Sequence, residues 1–361
     1  MRNEPMNVLV VGCGNMGASH ARAYHKMPEF NIVGLVSRGA ESREKLAAEL
    51  GGKPAMFDNI DEALEQLKPD AVSINTYPDT HYEYVLKSFK AGAHVFVEKP
   101  LAETVEQSIE IAEAARQYNK KLVIGYIVRV HPAWKKFIEI AHTLGKPLVM
   151  RMNLNQQSSG NTWETHKNLM KSMSPIVDCG VHYVDVMCLM TKAQPVRVSA
   201  IGARLSDEIS TEMYNYGQLQ VTFDDGSVGW YEAGWGPMMS ENAFFVKDVI
   251  GPKGCVSIMD SQSPSDDVNS HTKTNALKVH SAERGPDGRF TNNDRIINTN
   301  DEPDHQGLCD LEQQLFLRAI REDMDLSQHH QDAINSLRVV LAADESFKTG
   351  KTVEIKVGQP A

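Results

Sequence analysis

Residues 8–24 read VLVVGCGNMGASHARAY, and this stretch decides the architecture. Four apolar, mostly β-branched residues suit a buried strand. They run straight into Gly12-x-Gly14-x-x-Gly17, and an alanine-rich, helix-forming segment follows. In such a strand–turn–helix unit the first glycine permits the tight turn, the second lets a phosphate approach the backbone, and the third allows close helix–strand packing. The helix N-terminus presents unpaired N–H groups to an anion. Gly12, Gly14, Asn15, Met16 and Gly17 are therefore candidate dinucleotide-binding residues, the alternative being a glycine-rich turn in some other α/β protein.

The surrounding sequence continues the pattern. Strand-like runs at 31–37, 71–76, 94–99 and 121–126 alternate with helix-like runs at 40–50, 60–67, 81–92 and 104–119. Short apolar strands separated by helices predict βαβ units and a parallel sheet covered on both faces. The expectation is an α/β chain whose residues 1–127 form an N-terminal Rossmann, doubly wound domain. After about residue 128 the character changes. One helix (133–143) precedes long alternating runs punctuated by DDGS and GPKG turns, which predict a large, mostly antiparallel sheet. Residues 128–361 are thus expected to form an α+β domain for substrate binding and oligomerisation, with its C-terminal helix available to pack back on the first domain. Residues 261–307 read as a polar surface excursion with weak strands at most, and helices return at 308–321 and 330–349.

Bulk properties bound the function. The chain has 361 residues, 41% hydrophobic and 23% charged, with a net charge of −10. That balance disfavours nucleic-acid and anionic-membrane partners. Five scattered cysteines without a C-x-x-C disfavour a disulfide framework and a structural zinc. No signal-peptide pattern and no apolar run of membrane-spanning length is present, so a cytoplasmic location is expected.

Cofactor preference is read at the end of the second strand, where a carboxylate would hold a ribose hydroxyl and an arginine would accept a 2′-phosphate. Ser37 and Arg38 stand there, with Arg43 nearby and no carboxylate. NADP is favoured over NAD, the competing reading being that Arg38 stacks on adenine and both forms are used.

A second segment, SPIVDCGVHYVDVM (174–187), places Asp178, Cys179, His182 and Asp185 at helical spacing on neighbouring surface. Taken alone it fits a metal site, a Cys–His nucleophile, a proton-transfer pair or an ordinary buried helix.

With the glycine motif in place, residues 75–107 resemble the Gfo/Idh/MocA oxidoreductases, the glucose–fructose oxidoreductase and inositol dehydrogenase group. Thr76, His81, GAHV and Glu98-Lys99-Pro100 carry the likeness. GYIVRVHPAW resembles that family's entry to its second domain, DCGVHYVD its D-x-G-x-H-x-x-D segment, and the C-terminal helix and strand its close. Tyr77 departs from the proline of many members. Lys99 also stands at the end of a predicted parallel strand, where open α/β sheets bind ligands.

The resemblance implies metal-independent hydride transfer. Its catalytic residues here would be Lys99, Asp178 and His182, with Asp185 and Cys179 structural. Thr76, His81, Glu98, Lys99 and Arg129 would join Ser37, Arg38 and the glycine turn around the cofactor. Substrate contacts would come from Lys99, Asp178, His182, Asn155, Trp163, His166 and His305, with Asn153, Gln157 and Lys167 as further candidates. Asn153, Asn155 and Gln157 share one strand face by the period of two. The expected function is an NAD(P)-dependent dehydrogenase or reductase acting on a CH–OH group of a sugar, cyclic polyol or sugar derivative. A homodimer or homotetramer through the C-terminal sheet is expected. A cofactor-retaining redox or elimination enzyme on glycosides, and a non-catalytic dinucleotide-binding sensor or accessory protein, are the alternatives.

Overall fold

A computed structural model describes residues 4–52, 54–240, 245–259, 274–299 and 301–355. It divides into two compact units. One comprises residues 1–130 and 303–334; the other comprises 131–302 and 335–361. The change of unit at 130 lies three residues beyond the sequence boundary of 127. Residues 303–334 belong with the first unit.

In the first unit β1 (Met6–Val11), α1 (Asn15–Lys26), β2 (Phe30–Val36), α2 (Ala40–Glu49), β3 (Ala55–Phe57), α3 (Ile60–Leu67), β4 (Ala71–Ile74), α4 (His81–Lys90), β5 (His94–Glu98), α5 (Val105–Gln117) and β6 (Leu122–Gly125) alternate, followed by a short α6 (Ile127–Val130). The six strands are all parallel and ordered β3-β2-β1-β4-β5-β6. This is the doubly wound arrangement, whose strand order reverses beside β1. Val8 to Val11, Ala71, Val72 and Val95 to Val97 are almost fully buried, as two-sided helix cover requires. The three-residue β3 was not legible, because AMF is too short to show a period.

The second unit holds α7 (Pro132–Ala141), β7 (Val149–Gln157), α8 (Gly160–Leu169), α9 (Pro175–Thr191), β8 (Pro195–Ala203), β9 (Tyr216–Phe223), β10 (Val228–Gly236), β11 (Lys247–Gly251), β12 (Gly254–Met259), β13 (Ala276–Ser281) and β14 (Arg295–Asn298). After α10 (His305–Arg321) in the first unit and α11 (Ser327–Thr349), which the division at Ile334 splits, β15 (Val353–Glu354) completes a nine-stranded sheet. Its order is β14-β13-β12-β11-β7-β10-β9-β8-β15. Every pair is antiparallel except β10 with β7. The polar excursion (261–307) forms β13 and β14, while its residues 261–273 and 300 lie outside the described set. One sheet face is covered by α9: Tyr183 stacks on Tyr231 with centroids 4.6 Å apart.

The free edge of the parallel sheet, along β6, is closed by α11. The Ile124 N–H donates to His329 Nε2 at 3.0 Å, and His330 Nε2 lies 2.9 Å from the Leu122 carbonyl. Two adjacent histidines thereby stand where a seventh strand would bond.

Candidate active site

The glycine turn has the geometry a dinucleotide needs. Gly12 has φ +90°, and a Cβ there would meet Asn75 O at 2.5 Å. A Cβ at Gly17 would fall inside the carbonyl of Gly12, so α1 lies against the turn only because residue 17 has no side chain. Space beyond Gly14 is open, with no atom within 4 Å of a would-be Cβ. The N-cap Gly14 offers no side-chain acceptor to the first turn of α1, and that turn holds no acidic residue. The residues present fit a nucleotide phosphate at this helix start. At the end of β2, Arg43 folds back to donate to the Ser37 carbonyl, whereas Arg38 is exposed.

Thr76 Oγ1 lies 2.6 Å from Thr80 Oγ1. His81 is fully buried, with ring nitrogens 2.8 Å from Pro100 O and 3.0 Å from Thr76 O. Burial holds its pKa below the ordinary value, against the pull of the two carbonyls, so it has one N–H to donate. His81 thus ties the turn after β4 to the turn after β5, a bracing role more than a ligand contact. Arg129 donates to Asp332 Oδ2 at 2.9 Å and sits over the Tyr126 ring, which fixes its guanidinium.

At the end of β5, Glu98 is buried. His20 Nε2 lies 2.8 Å from Glu98 Oε1, and the Lys99 N–H donates to Oε2 at 3.2 Å. Lys99 itself is half-buried. Among the described residues, His20, Cys309 and Glu312 bring one potential metal-ligand atom each to within 4.8 Å of one another. Both His20 nitrogens are already engaged, by Glu98 and by Gln313 Nε2. Two donors then remain, fewer than a protein zinc site takes. His305 opens α10 behind the N-cap Asp304, with its Nε2 3.6 Å from Cys309 Sγ.

In the second unit, the segment that opened four readings is a buried helix. Ser174 caps it by accepting from the Val177 N–H, and Pro175 suits the first turn, where its missing N–H costs nothing. Asp178 and His182 lie one turn apart; His182 is 7% exposed and Asp178 is half-buried. The thiol of Cys179 has two acceptors in reach, Asp178 Oδ2 at 3.4 Å and Gln156 Oε1 at 3.6 Å. Trp235 Nε1–H also donates to Gln156 Oε1, at 2.7 Å. The His166 ring stacks on Trp235, with centroids 4.4 Å apart and 10° between planes, and its Nδ1 lies 3.0 Å from Ser158 Oγ. Burial lowers the His166 pKa to about 4, and the Asp178 charge opposes that shift only weakly. Asp178, His182, His166, Gln156 and Trp235 are therefore one constellation.

Other candidates fall elsewhere. Asn155 donates to Glu232 at 2.8 Å, and Asn153 accepts from the Val246 N–H. By strand alternation both stand, with Gln157, on the sheet face opposite the one bearing Gln156, Trp235 and Tyr231. The amide row sought in the sequence is real but turned away from α9; Gln156 faces it. Trp163 Nε1–H donates to Glu208 at 3.1 Å, and Lys167 pairs with the same carboxylate. Two further residues were missed. Trp235 and Lys247 sit in strands too apolar to single them out; Lys247 is 3% exposed, with its Nζ over the Tyr183 ring.

Comparison with known proteins agrees with both halves. Residues 6–126 match the family model "Oxidoreductase family, NAD-binding Rossmann fold", and residues 135–256 match the GFO/IDH/MocA C-terminal domain. A scyllo-inositol 2-dehydrogenase (NAD(+)) of Bacillus subtilis is 27% identical over 360 residues, covering 96% of each chain. A UDP-N-acetylglucosamine 3-dehydrogenase of Acidithiobacillus ferrooxidans is 29% identical over 197 residues, and the match spans 55% of this chain and 58% of that protein. Among solved structures, a scyllo-inositol dehydrogenase from Lactobacillus casei with bound NAD(H) and scyllo-inositol superposes with a TM-score of 0.76. It is 20% identical, with 97% and 99% coverage, a likeness of fold. No helix of the described residues is long and apolar enough to cross a membrane. The chain belongs to the Gfo/Idh/MocA oxidoreductase family.

Proposed function

We propose that the protein is an NAD(P)-dependent dehydrogenase that oxidises a secondary alcohol of a sugar, cyclic polyol or sugar derivative, or reduces the corresponding ketone. The observation that carries this reading is the α9 constellation, in which Asp178 and His182 lie one turn apart beside Gln156 and a neutral His166. Removing hydride from an alcohol carbon leaves a hydroxyl proton that needs a base titrating near neutrality. His182 takes that proton, and returns it in reduction. Asp178 holds a substrate hydroxyl and favours the imidazolium as it forms. Lys99 donates a hydrogen bond to the reacting oxygen and stabilises its developing charge. A bound nicotinamide supplies the hydride acceptor, and the Gly12–Gly17 turn would hold its pyrophosphate.

The relatives' names support a polyhydroxylated substrate, and inositols and sugar nucleotides are the compounds to try first. Arg38, exposed just past the end of β2, favours the 2′-phosphate of NADP. Val149, Ile201, Val228 and Ile250 are exposed on the sheet face away from α9, which supports assembly of copies through that sheet in a cytoplasmic homo-oligomer.

The test is a panel of myo-inositol, scyllo-inositol, simple hexoses and UDP-N-acetylglucosamine with each cofactor, followed by nicotinamide absorbance. Lys99→Ala and His182→Ala should each bind NADH normally and lose ~10²-fold or more in turnover. Unchanged turnover in both variants refutes the assignment.

A further inference from the structure

Beneath the proposed lysine lies a buried hydrogen-bond chain that the reaction scheme does not use. Gln313, on α10, donates from Nε2 to His20 Nδ1 at 2.8 Å. That nitrogen therefore carries a lone pair, and the ring proton resides on Nε2, aimed at Glu98 Oε1 at 2.8 Å. The second carboxylate oxygen, Oε2, accepts the Lys99 backbone N–H at 3.2 Å. His20 and Gln313 are fully buried and Glu98 is 7% exposed. Gly125, across from Glu98 on β6, leaves the carboxylate its slot, since a Cβ there would lie 3.2 Å from all three carboxyl atoms.

Resting on the dehydrogenase reading, we propose that His20 is a positioning residue. It keeps Glu98 ionised and fixed in rotamer, and through the Oε2–N–H bond it sets the backbone at Lys99 and hence the aim of the reacting ammonium. The groups facing Glu98 are His20 from α1, His81 from α4, Cys309 and Glu312 from α10, and Lys99 beside it. Burial alone would push its carboxyl upward. The hydrogen bond from His20, with Lys99 alongside, outweighs that and holds it below the ordinary range. Glu312 answers in the opposite sense: burial, then the Glu98 charge, raises it well above the ordinary range, so the pair carries one negative charge.

The experiment compares His20→Leu, which removes the donor, with His20→Gln, whose amide places an N–H at the Nε2 position. The Glu98 carboxyl is titrated by 13C-glutamate NMR, assigned with Glu98→Gln, and the pH profile of kcat/KM is measured with myo-inositol. In His20→Leu the Glu98 titration should rise by about one pH unit or more, and the acidic limb of the profile should move with it, a loss of about tenfold at pH values just below the new limb. NADH affinity above the limb should stay within about twofold, and His20→Gln should restore both titration and profile. Gln313→Met gives the same test, with a smaller shift in the same direction, where His20→Leu does not fold. A Glu98 titration that stays put in the Leu or Met variant, or a turnover loss equal at every pH, overturns the proposal. Absence of any polyol activity would instead count against the dehydrogenase reading, while the NMR titration still decides the role of His20.

Discussion

Replacing Glu312 with glutamine should stabilise the protein increasingly as the pH rises. Glu312 is 3% exposed, and neither carboxyl oxygen has a hydrogen-bond partner among the described residues. Burial, followed by the neighbouring Glu98 charge, raises its pKa well above the ordinary 4.5. The folded chain therefore holds a proton at this site that the unfolded chain releases above about pH 4.5. With one proton more bound in the folded state, unfolding becomes easier with each step upward in pH until the folded pKa is passed. Glutamine is nearly isosteric and has nothing to titrate. Below pH 4.5 the two proteins should have similar stability. Above it the gap widens by about 1.4 kcal/mol per pH unit and levels off once the pH passes the raised folded pKa. Urea unfolding followed by far-UV circular dichroism at several pH values reads the gap from the midpoints. A difference that does not change with pH would show that Glu312 is not held protonated, and the single shared charge with Glu98 would fall with it.

Gly17→Ala drives a methyl group into the Gly12 carbonyl, so NADH binding should be lost and the melting temperature should fall; an unaffected NADH titration would contradict the packing of α1 on the turn. Trp235→Phe deletes the indole donor to Gln156 and leaves that oxygen to Cys179 alone, which should cost about 1–3 kcal/mol in urea unfolding, and an unchanged midpoint would count against this bond. Arg38→Ala should raise KM for NADP by about tenfold, the worth of one hydrogen bond to a charged group, with little change for NAD. Equal changes for both cofactors would remove Arg38 as the determinant.

The first unit was legible almost element by element, because each strand is short, apolar and bounded by glycine or charged residues. Tertiary context sets what was not. The three-residue β3 owes its existence to pairing with β2, which no local pattern announces. In β7 the sequence gives alternation but not polarity. Asn153, Asn155 and Gln157 share a face as expected, yet which face meets α9 is decided by Met150, Met152 and Gln156 on the other side. Helix α8 was hidden because GNTWETHKNL has only two large apolar residues, Trp163 and Leu169, at a spacing that makes no helical stripe. The spacing of Asp178 and His182 is compatible with one helix face but by itself left four readings of the segment open. The participation of Trp235, bonded to Gln156 79 residues before it, could not be read, since contacts between distant strands leave no local trace. His20 was equally silent, lying in a helix read for its glycines.

The two histidines that close the edge of β6 bear on how this chain behaves in acid. An unpaired strand edge recruits other strands, and in a wholly parallel sheet it is a standing route to aggregation. Here the edge amide of Ile124 is bonded to a ring nitrogen that can accept only while His329 is neutral. Burial, with Arg129 and His330 nearby, pushes the His329 pKa well below its ordinary value, and burial lowers that of His330 as well. The seal therefore outlasts the pH range in which exposed histidines become charged. Loss of solubility on acidification should come only when these buried rings take up protons, and a chain with leucine at 329 should begin to associate at neutral pH.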